Sequence, residues 1–317
     1  MVTDPRSILI VKPSSLGDVV HTLPAVARVR RRWPDARIHW LVNPEWAPIL
    51  AGNPDIDAVI EFPRKQFSGL PGWMRLRRWI GQQRGRVQPD LTLDFQGLLR
   101  SAIVSRGFGG ECWGTSDSRE CARFLHRHVV PVPPRSEPVH AVRRCLALVA
   151  AVGCDIAEPL EWRIPGGTRP ADCPSEFVLL HPFSRGPEKS LSAAEVATFC
   201  RDLAPTPVVI AGRNATSISP APNIVNLLNR TDLTELCWLL RQARFVVSVD
   251  SGPAHIAAAV SPGLLSIHTW SDPRKVGPFR PDAIVWKDGR IGKMEDFPSG
   301  TPLPRTEIGR WVAAALG

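Results

Sequence analysis

Ile8-Leu-Ile-Val-Lys-Pro-Ser-Ser-Leu-Gly-Asp-Val-Val-His-Thr-Leu-Pro24 reads as a strand, a loop and the start of a helix. The first four residues form an apolar run that fits a strand buried on both faces. Pro13 to Gly17 interrupts it with loop chemistry, and from Asp18 onward Val19, Leu23, Val26 and Val29 recur at helical spacing. A buried strand feeding a loop and then a helix puts that loop at the carboxyl edge of an open sheet, where α/β proteins bind ligands. The free N–H groups of the helix start suit an anion or a polarised hydroxyl. Asp18 is the only carboxylate between Asp4 and Asp35. It reads as a helix N-cap or as a general base facing a ligand, and the two roles are compatible.

The alternation continues outward. In the first half, strands fit residues 8–11, 37–42, 58–62 and 91–95, with helices at 19–32, 44–50, 72–83 and 97–106. A closing helix fits 135–153, with Ser136 as its N-cap. The turn-rich segment 165–174 reads as a linker. Beyond it, strands fit 177–181, 208–211, 223–227, 245–249 and 264–267, and helices fit 192–203, 233–242 and 253–260. An apolar helix at 307–316 ends the chain. This pattern predicts an α/β protein of two doubly wound, Rossmann-like domains, 1–165 and 166–317, with a cleft between them.

A length of 317 residues favours two domains, and 44% hydrophobic with 22% charged residues describes a soluble globular chain. No apolar run approaches the ~20 residues of a membrane helix. The first seven residues lack a basic region leading into an apolar one, so secretion is not expected. Seven cysteines without a Cys-x-x-Cys pair fit reduced thiols in a cytoplasm and give no metal site. The formal charge of +9 points to an acidic partner: nucleic acid, an anionic membrane face or a phosphorylated substrate. No nucleic-acid-binding module accompanies the charge. No strand is followed by Gly-x-Gly-x-x-Gly with a ribose-binding acid, which argues against a nicotinamide oxidoreductase. Residues 63–89 contain no acid but carry Arg64, Lys65, Arg75, Arg77, Arg78, Arg84 and Arg86. Their helical part, with Trp73, Leu76 and Ile80 along one side, reads either as a membrane-surface helix or as a docked helix with solvated arginines.

Two further strand ends carry chemistry. After Phe245-Val-Val-Ser-Val comes Asp250-Ser-Gly-Pro-Ala-His255 and a helix rich in alanine. Ser251 suits a cap, Gly252 a close backbone approach and Pro253 a first helical turn, so this edge suits a diphosphate or is an ordinary capped turn. In His181-Pro-Phe-Ser-Arg-Gly-Pro-Glu-Lys189, Arg185 and Lys189 are flexible cations suited to a leaving phosphate, or to solvent.

Together these residues resemble glycosyltransferase family 9, the ADP-heptose:lipopolysaccharide heptosyltransferases. The resemblance covers nearly the whole chain. Its firmest parts are Ser15-Leu-Gly-Asp-Val-Val-His-Thr-Leu-Pro24 and Val249-Asp-Ser-Gly-Pro-Ala-His-Ile-Ala-Ala-Ala259. Asp94-Phe-Gln-Gly-Leu-Leu-Arg-Ser101, His140-Ala-Val-Arg-Arg144 and Asn229-Arg-Thr-Asp-Leu233 also fit. It implies a GT-B fold, with acceptor bound by the first domain, nucleotide-sugar by the second, and a last helix that often crosses back to the first. It implies inverting, metal-independent transfer of heptose from ADP-heptose to an anionic lipopolysaccharide core or lipid A acceptor, with no cofactor. Asp18 is then the base. Lys189, Arg185, Asp250, Ser251, Gly252, Pro253, Ala254 and His255 form the donor diphosphate site, His255 touching phosphate or supporting the turn. Ser15, Gly17, His21, Gln96 and Arg100 lie on the acceptor side. The expected place is the cytoplasm, at the inner face of the inner membrane.

Departures from the family pattern fall on the donor side. The acid commonly found after the strand at 208–211 is absent from Gly212-Arg-Asn-Ala-Thr-Ser217. Ser190-Leu191 replaces the frequent Arg-Trp after Lys189, and Ile267-His-Thr-Trp270 replaces Phe-Gly-Pro-Thr. These changes leave open another nucleotide-sugar, a protein acceptor, or a non-catalytic binding protein of the same fold.

Overall fold

The computed structural model describes residues 4–157, 159–297 and 300–317. The chain divides into two compact units, Met1–Arg163 and Ile164–Gly317.

In the first unit, β1 (Ser7–Val11) is as apolar as its sequence demands: Ile8, Leu9, Ile10 and Val11 are fully buried. The following helix, α1 (Leu16–Arg32), starts earlier than position 19 because Ser15 is its N-cap and Leu16 is already buried. Pro24 lies within α1 without ending it. After β2 (Arg37–Val42), Pro44–Leu50 is a 3₁₀ helix, since Pro44 and Pro48 withhold two backbone donors. Next come β3 (Ala58–Glu61), α2 (Gly69–Arg84), β4 (Leu91–Asp94) and α3 (Leu99–Phe108). Two short strands, β5 (Glu111–Thr115) and β6 (His128–Val130), escape the sequence pattern; β5 is polar and glycine-interrupted, and β6 is only three residues long. The closing helix α4 (Ala141–Ala151) is shorter than expected and is capped by His140, whose Nδ1 accepts from Val142 N at 3.1 Å. Ser136 is therefore not its cap.

The first sheet has the order β3-β2-β1-β4-β5-β6 and every pair is parallel. The order reverses between β1 and β4, which opens a crevice at their carboxyl ends. Leu9, Val11, Leu41, Phe62, Leu76 and Phe108 share a core with the α2 and α3 side of this sheet.

The second unit repeats the plan. Its elements are β7 (Val178–His181), α5 (Ala193–Asp202), β8 (Val208–Ile210), β9 (Ile224–Asn226), α6 (Leu233–Gln242), β10 (Phe245–Val249), α7 (Gly252–Val260), β11 (Leu264–His268), α8 (Pro273–Val276), β12 (Ile284–Lys287), β13 (Arg290–Lys293), β14 (Thr301–Pro302) and α9 (Ile308–Leu316). The sheet order is β14-β13-β12-β11-β10-β7-β8-β9, parallel from β9 to β12, so the reversal lies between β7 and β10. The unexpected hairpin β12–β13 turns on Asp288 and Gly289, both with positive φ (51° and 74°), as a tight two-residue turn requires.

Helix α9 uses its apolar side within the second unit. Ile308 and Val312 are buried in the core formed around Val178, Phe199 and Ile267. Gly309 permits this packing on α5: a Cβ there would lie 2.9 Å from the Asp202 Cβ. No helix among the described residues is long and apolar enough to cross a membrane.

Candidate functional site

Residues of the first unit converge at the β1/β4 reversal. Asp18 is not the N-cap of α1 but sits three residues into the turn, with its carboxylate reaching back. Its Oδ2 accepts from Ser15 N at 2.9 Å and Ser15 Oγ at 2.8 Å, while Lys12 Nζ lies 3.7 Å from Oδ1. The Asp18 side chain keeps 44% of its surface exposed, whereas that of Lys12 keeps 8%. Lys12 also donates to Phe95 O at 2.9 Å, tying the end of β1 to the segment after β4. A lysine directly after the apolar run of a strand is the signal for this residue in the sequence.

The segment after β4 is folded around the fully buried Asp94. Its Oδ1 accepts from Gln96 N at 2.9 Å and Gly97 N at 3.1 Å; its Oδ2 accepts from Ser101 Oγ at 2.9 Å and meets His126 Nε2 at 2.9 Å. Gly97 takes φ of +62°, where a Cβ would stand 3.1 Å from Ser118 Oγ. This turn presents Gln96 Oε1 to Ser14 N at 3.2 Å. Beside it lies a cavity of about 200 Å³, lined by Ser14, Phe62, Arg64, Trp73, Gln96 and Arg100 among others. The guanidinium of Arg100 stands 5.8 Å from the Trp73 ring centroid. Of the other residues expected on this side, Ser15 is exposed at the mouth of the turn and Gly17 is buried in the first turn of α1. His21 is buried edge-on against His140, with ring centroids 5.2 Å apart, so it packs α1 on α4.

In the second unit the loops after β7, β10 and β11 meet. Asp250 Oδ2 accepts from Ser271 Oγ at 2.6 Å, and Ser271 Oγ stands 2.8 Å from His268 Nδ1. Because the serine proton goes to Asp250, His268 Nδ1–H donates to Ser271, and its Nε2 accepts from Ser266 Oγ at 3.0 Å. Burial pushes the fully enclosed His268 down to about 4, with Asp250 opposing the shift and His255 and Lys287 adding to it. Such a neutral imidazole matches the direction of this chain. Burial likewise pushes His181, at the end of β7, down to about 4.

Ser251 precedes α7 but does not cap it; its hydroxyl donates to Val249 O at 3.0 Å. Pro253 has no N–H and Ala254 N donates to Ser251 O at 3.0 Å. Of the two N–H groups between Gly252 and Ala254, that of Gly252 has no hydrogen-bond partner among the described residues and is the one left to an incoming anion. His255 is buried in the same turn. Lys189 Nζ lies 4.0 Å from the centroid of the Trp270 ring, and Arg185 is exposed on the same loop. Asn214 and Asn229 close the loop after β8 on each other, Asn214 N to Asn229 Oδ1 at 3.1 Å, in a segment that carries exposed Arg213 and no acid. Among the described residues no group of three or more His, Cys, Asp or Glu side chains is placed to hold a metal ion.

Residues 194–306 match the model of glycosyltransferase family 9 (heptosyltransferase). The chain is similar to the lipopolysaccharide core heptosyltransferase OpsX of Haemophilus influenzae, at 26% identity over 87% of this chain and 82% of that protein. It is also similar to lipopolysaccharide heptosyltransferase 1 of Salmonella typhimurium, at 29% identity over 85% of this chain and 90% of that one. Among solved structures, the E. coli heptosyltransferase WaaC with ADP matches with a TM-score of 0.77 at 20% identity, covering 98% of this chain and all of the other. The fold is GT-B, two Rossmann-like α/β units.

Proposed function

From the premise that this chain belongs to glycosyltransferase family 9, a family of heptosyltransferases, we propose that it moves heptose from ADP-heptose to an anionic lipopolysaccharide core acceptor. Transfer is inverting and independent of metal. The observation that carries the reading is the placement of Asp18, half-exposed at the β1/β4 reversal with its carboxylate fixed by Ser15 and Lys12.

An acceptor hydroxyl attacks the anomeric carbon of the heptose as the bond from that carbon to the donor phosphate oxygen breaks. The proton passes to the carboxylate of Asp18. ADP departs with one more negative charge than it carried as an ester. Lys189, Arg185 and the Gly252 amide at the start of α7 offset that charge. Ser271 and His268 hold Asp250 in place beneath the same turn. The cavity with Arg64 and Arg100 suits a phosphorylated sugar on the acceptor.

The basic, acid-free face of α2 contacts the anionic surface of the inner membrane, where such an acceptor resides. A second reading, with another nucleotide-sugar as donor, is favoured by the absence from Gly212-Arg-Asn-Ala-Thr-Ser217 of the acid that the family pattern has after this strand.

The test is product mass after incubation with ADP-heptose and a Kdo-bearing lipid A acceptor in EDTA. Wild type should add one heptose. Asp18→Asn should bind ADP normally yet lose transfer by about 10²- to 10⁴-fold. Transfer by the variant at the wild-type rate would remove Asp18 as the base, and loss of wild-type transfer in EDTA would remove the metal-independent mechanism.

A further inference from the structure

Trp270 is 62% exposed, a large apolar area left in water, and it lies in the stretch that replaces the family's Phe-Gly-Pro-Thr. The residues on either side of it are pinned. Thr269 Oγ1 donates to Glu188 O at 2.8 Å, and Ser271 Oγ donates to Asp250 Oδ2 at 2.6 Å. The ring is thus held beside the loop that carries Lys189, whose ammonium lies 4.0 Å from its centroid. Among the described residues no carboxylate pairs with that ammonium.

We propose that Trp270 is a positioning residue that holds Lys189 at the Asp250–Gly252 turn, ready for a diphosphate. A lysine side chain carries about 2 kcal/mol of rotamer entropy, which a ligand must otherwise overcome when it orders the chain. An aromatic face orders the ammonium without neutralising it. A carboxylate in the same place would compete with the incoming anion for the charge. The ring therefore fixes the cation and leaves its full charge for the ligand. The loops after β7 and β11 flank the turn after β10, because β10 lies between β7 and β11 in the sheet. Ser184 Oγ, 3.5 Å from Asp250 O, adds a further tie between the β7 loop and that turn.

The proposal rests on the donor site described under the proposed function, and the experiment separates the two. Binding of ADP and of inorganic pyrophosphate is measured by calorimetry for wild type, Trp270→Ala, Trp270→Phe, Lys189→Met and the Trp270→Ala/Lys189→Met pair. Circular-dichroism melts accompany each protein, so that a misfolded variant is recognised. Trp270→Ala should weaken both ligands by roughly two- to fivefold, the range for a cation–π pair at an exposed site. Trp270→Phe should recover most of the loss. In the Lys189→Met background, Trp270→Ala should have no further effect on either ligand, and in transfer assays Trp270→Ala alone should lower kcat/KM for the donor by a similar two- to fivefold. Weaker binding of ADP with unchanged binding of pyrophosphate would mean that the ring stacks on the base, and would overturn the proposal. So would a Trp270 effect that persists without Lys189, or no effect at all. A wild-type protein that binds neither ligand would overturn the donor site itself, and this proposal with it.

Discussion

Lys12 Nζ bridges Asp18 and Phe95, lying 3.7 Å from the Asp18 carboxylate and 2.9 Å from the Phe95 carbonyl. One buried cation therefore sets both the proposed base and the segment after β4. Replacing it with methionine keeps the apolar stem but strips the carbonyl of its donor and the carboxylate of its counter-charge. Lys12→Met should lower the stability of the first unit by about 1–3 kcal/mol. It should also reduce transfer more than ADP binding, since the donor residues lie in the other unit. Urea unfolding and initial rates check both effects. A variant with wild-type stability and rate would make Lys12 a bystander.

Asp94 has two amides, a hydroxyl and an imidazole around it and no exposure. Asp94→Ala leaves those donors buried without an acceptor. The expected cost is about 3–5 kcal/mol, the range for breaking a buried charged network on one side. Asp94→Asn keeps one acceptor oxygen and should cost less. Comparable melting of Asp94→Ala and wild type would show that water replaces the carboxylate.

The turns at positions 18 and 250 were legible because each follows a run of buried β residues and opens a helix, a pattern that local chemistry dictates. Asp18 reads from the sequence as a cap or a base for the same reason, and in the fold Ser15 caps α1 while Asp18 answers it from the third residue of the helix. What escaped the sequence depends on distant partners. Strands β5 and β6 are too short and polar for any periodicity and exist through pairing with β4 and with each other. Likewise, His268 stood out in the sequence only as part of a departure from the family pattern, and its link to Asp250 appears when β10 and β11 lie side by side. The association of Lys189 with Trp270 spans two loops, and nothing local to either residue announces it.

Buried histidines make the second unit sensitive to mild acid. His181 and His268 both sit near 4 in the fold, whereas an unfolded imidazole titrates near 6.5. Above 6.5 neither state takes the proton. Between the two values the unfolded chain binds it and the folded chain does not, so stability falls as pH drops through this window and levels off below 4. At pH 5 each histidine accounts for about 2 kcal/mol of that loss. Urea unfolding at pH 7 and pH 5 should show the fall, and His268→Asn should shrink it by about one histidine's share. An unchanged pH dependence in the variant would mean that His268 takes up its proton inside the fold.

The α2 surface sorts the arginines of the acid-free segment into two kinds. Leu76 and Ile80 are buried and Trp79 packs with Phe62, Phe67 and Phe108, which docks one side of the helix. Arg75 Nε donates to Gln66 O at 2.7 Å and its Nη2 reaches Ser68 O at 3.4 Å, so this arginine braces the turn before the helix. Arg77 and Arg78 are exposed, and Trp73 (42%) and Met74 (72%) put apolar surface on the outside of the same helix. Cations with exposed apolar side chains suit an anionic bilayer, each cation near the surface adding about 1 kcal/mol. Arg77→Gln/Arg78→Gln should therefore weaken binding to vesicles containing phosphatidylglycerol by roughly 30-fold at low salt. Arg75→Gln should lower the melting temperature more than it lowers vesicle binding. Sedimentation with vesicles of rising anionic content separates these outcomes: equal binding by wild type and the double variant would remove α2 as the membrane face, and the segment's charge would then be assigned to the acceptor alone.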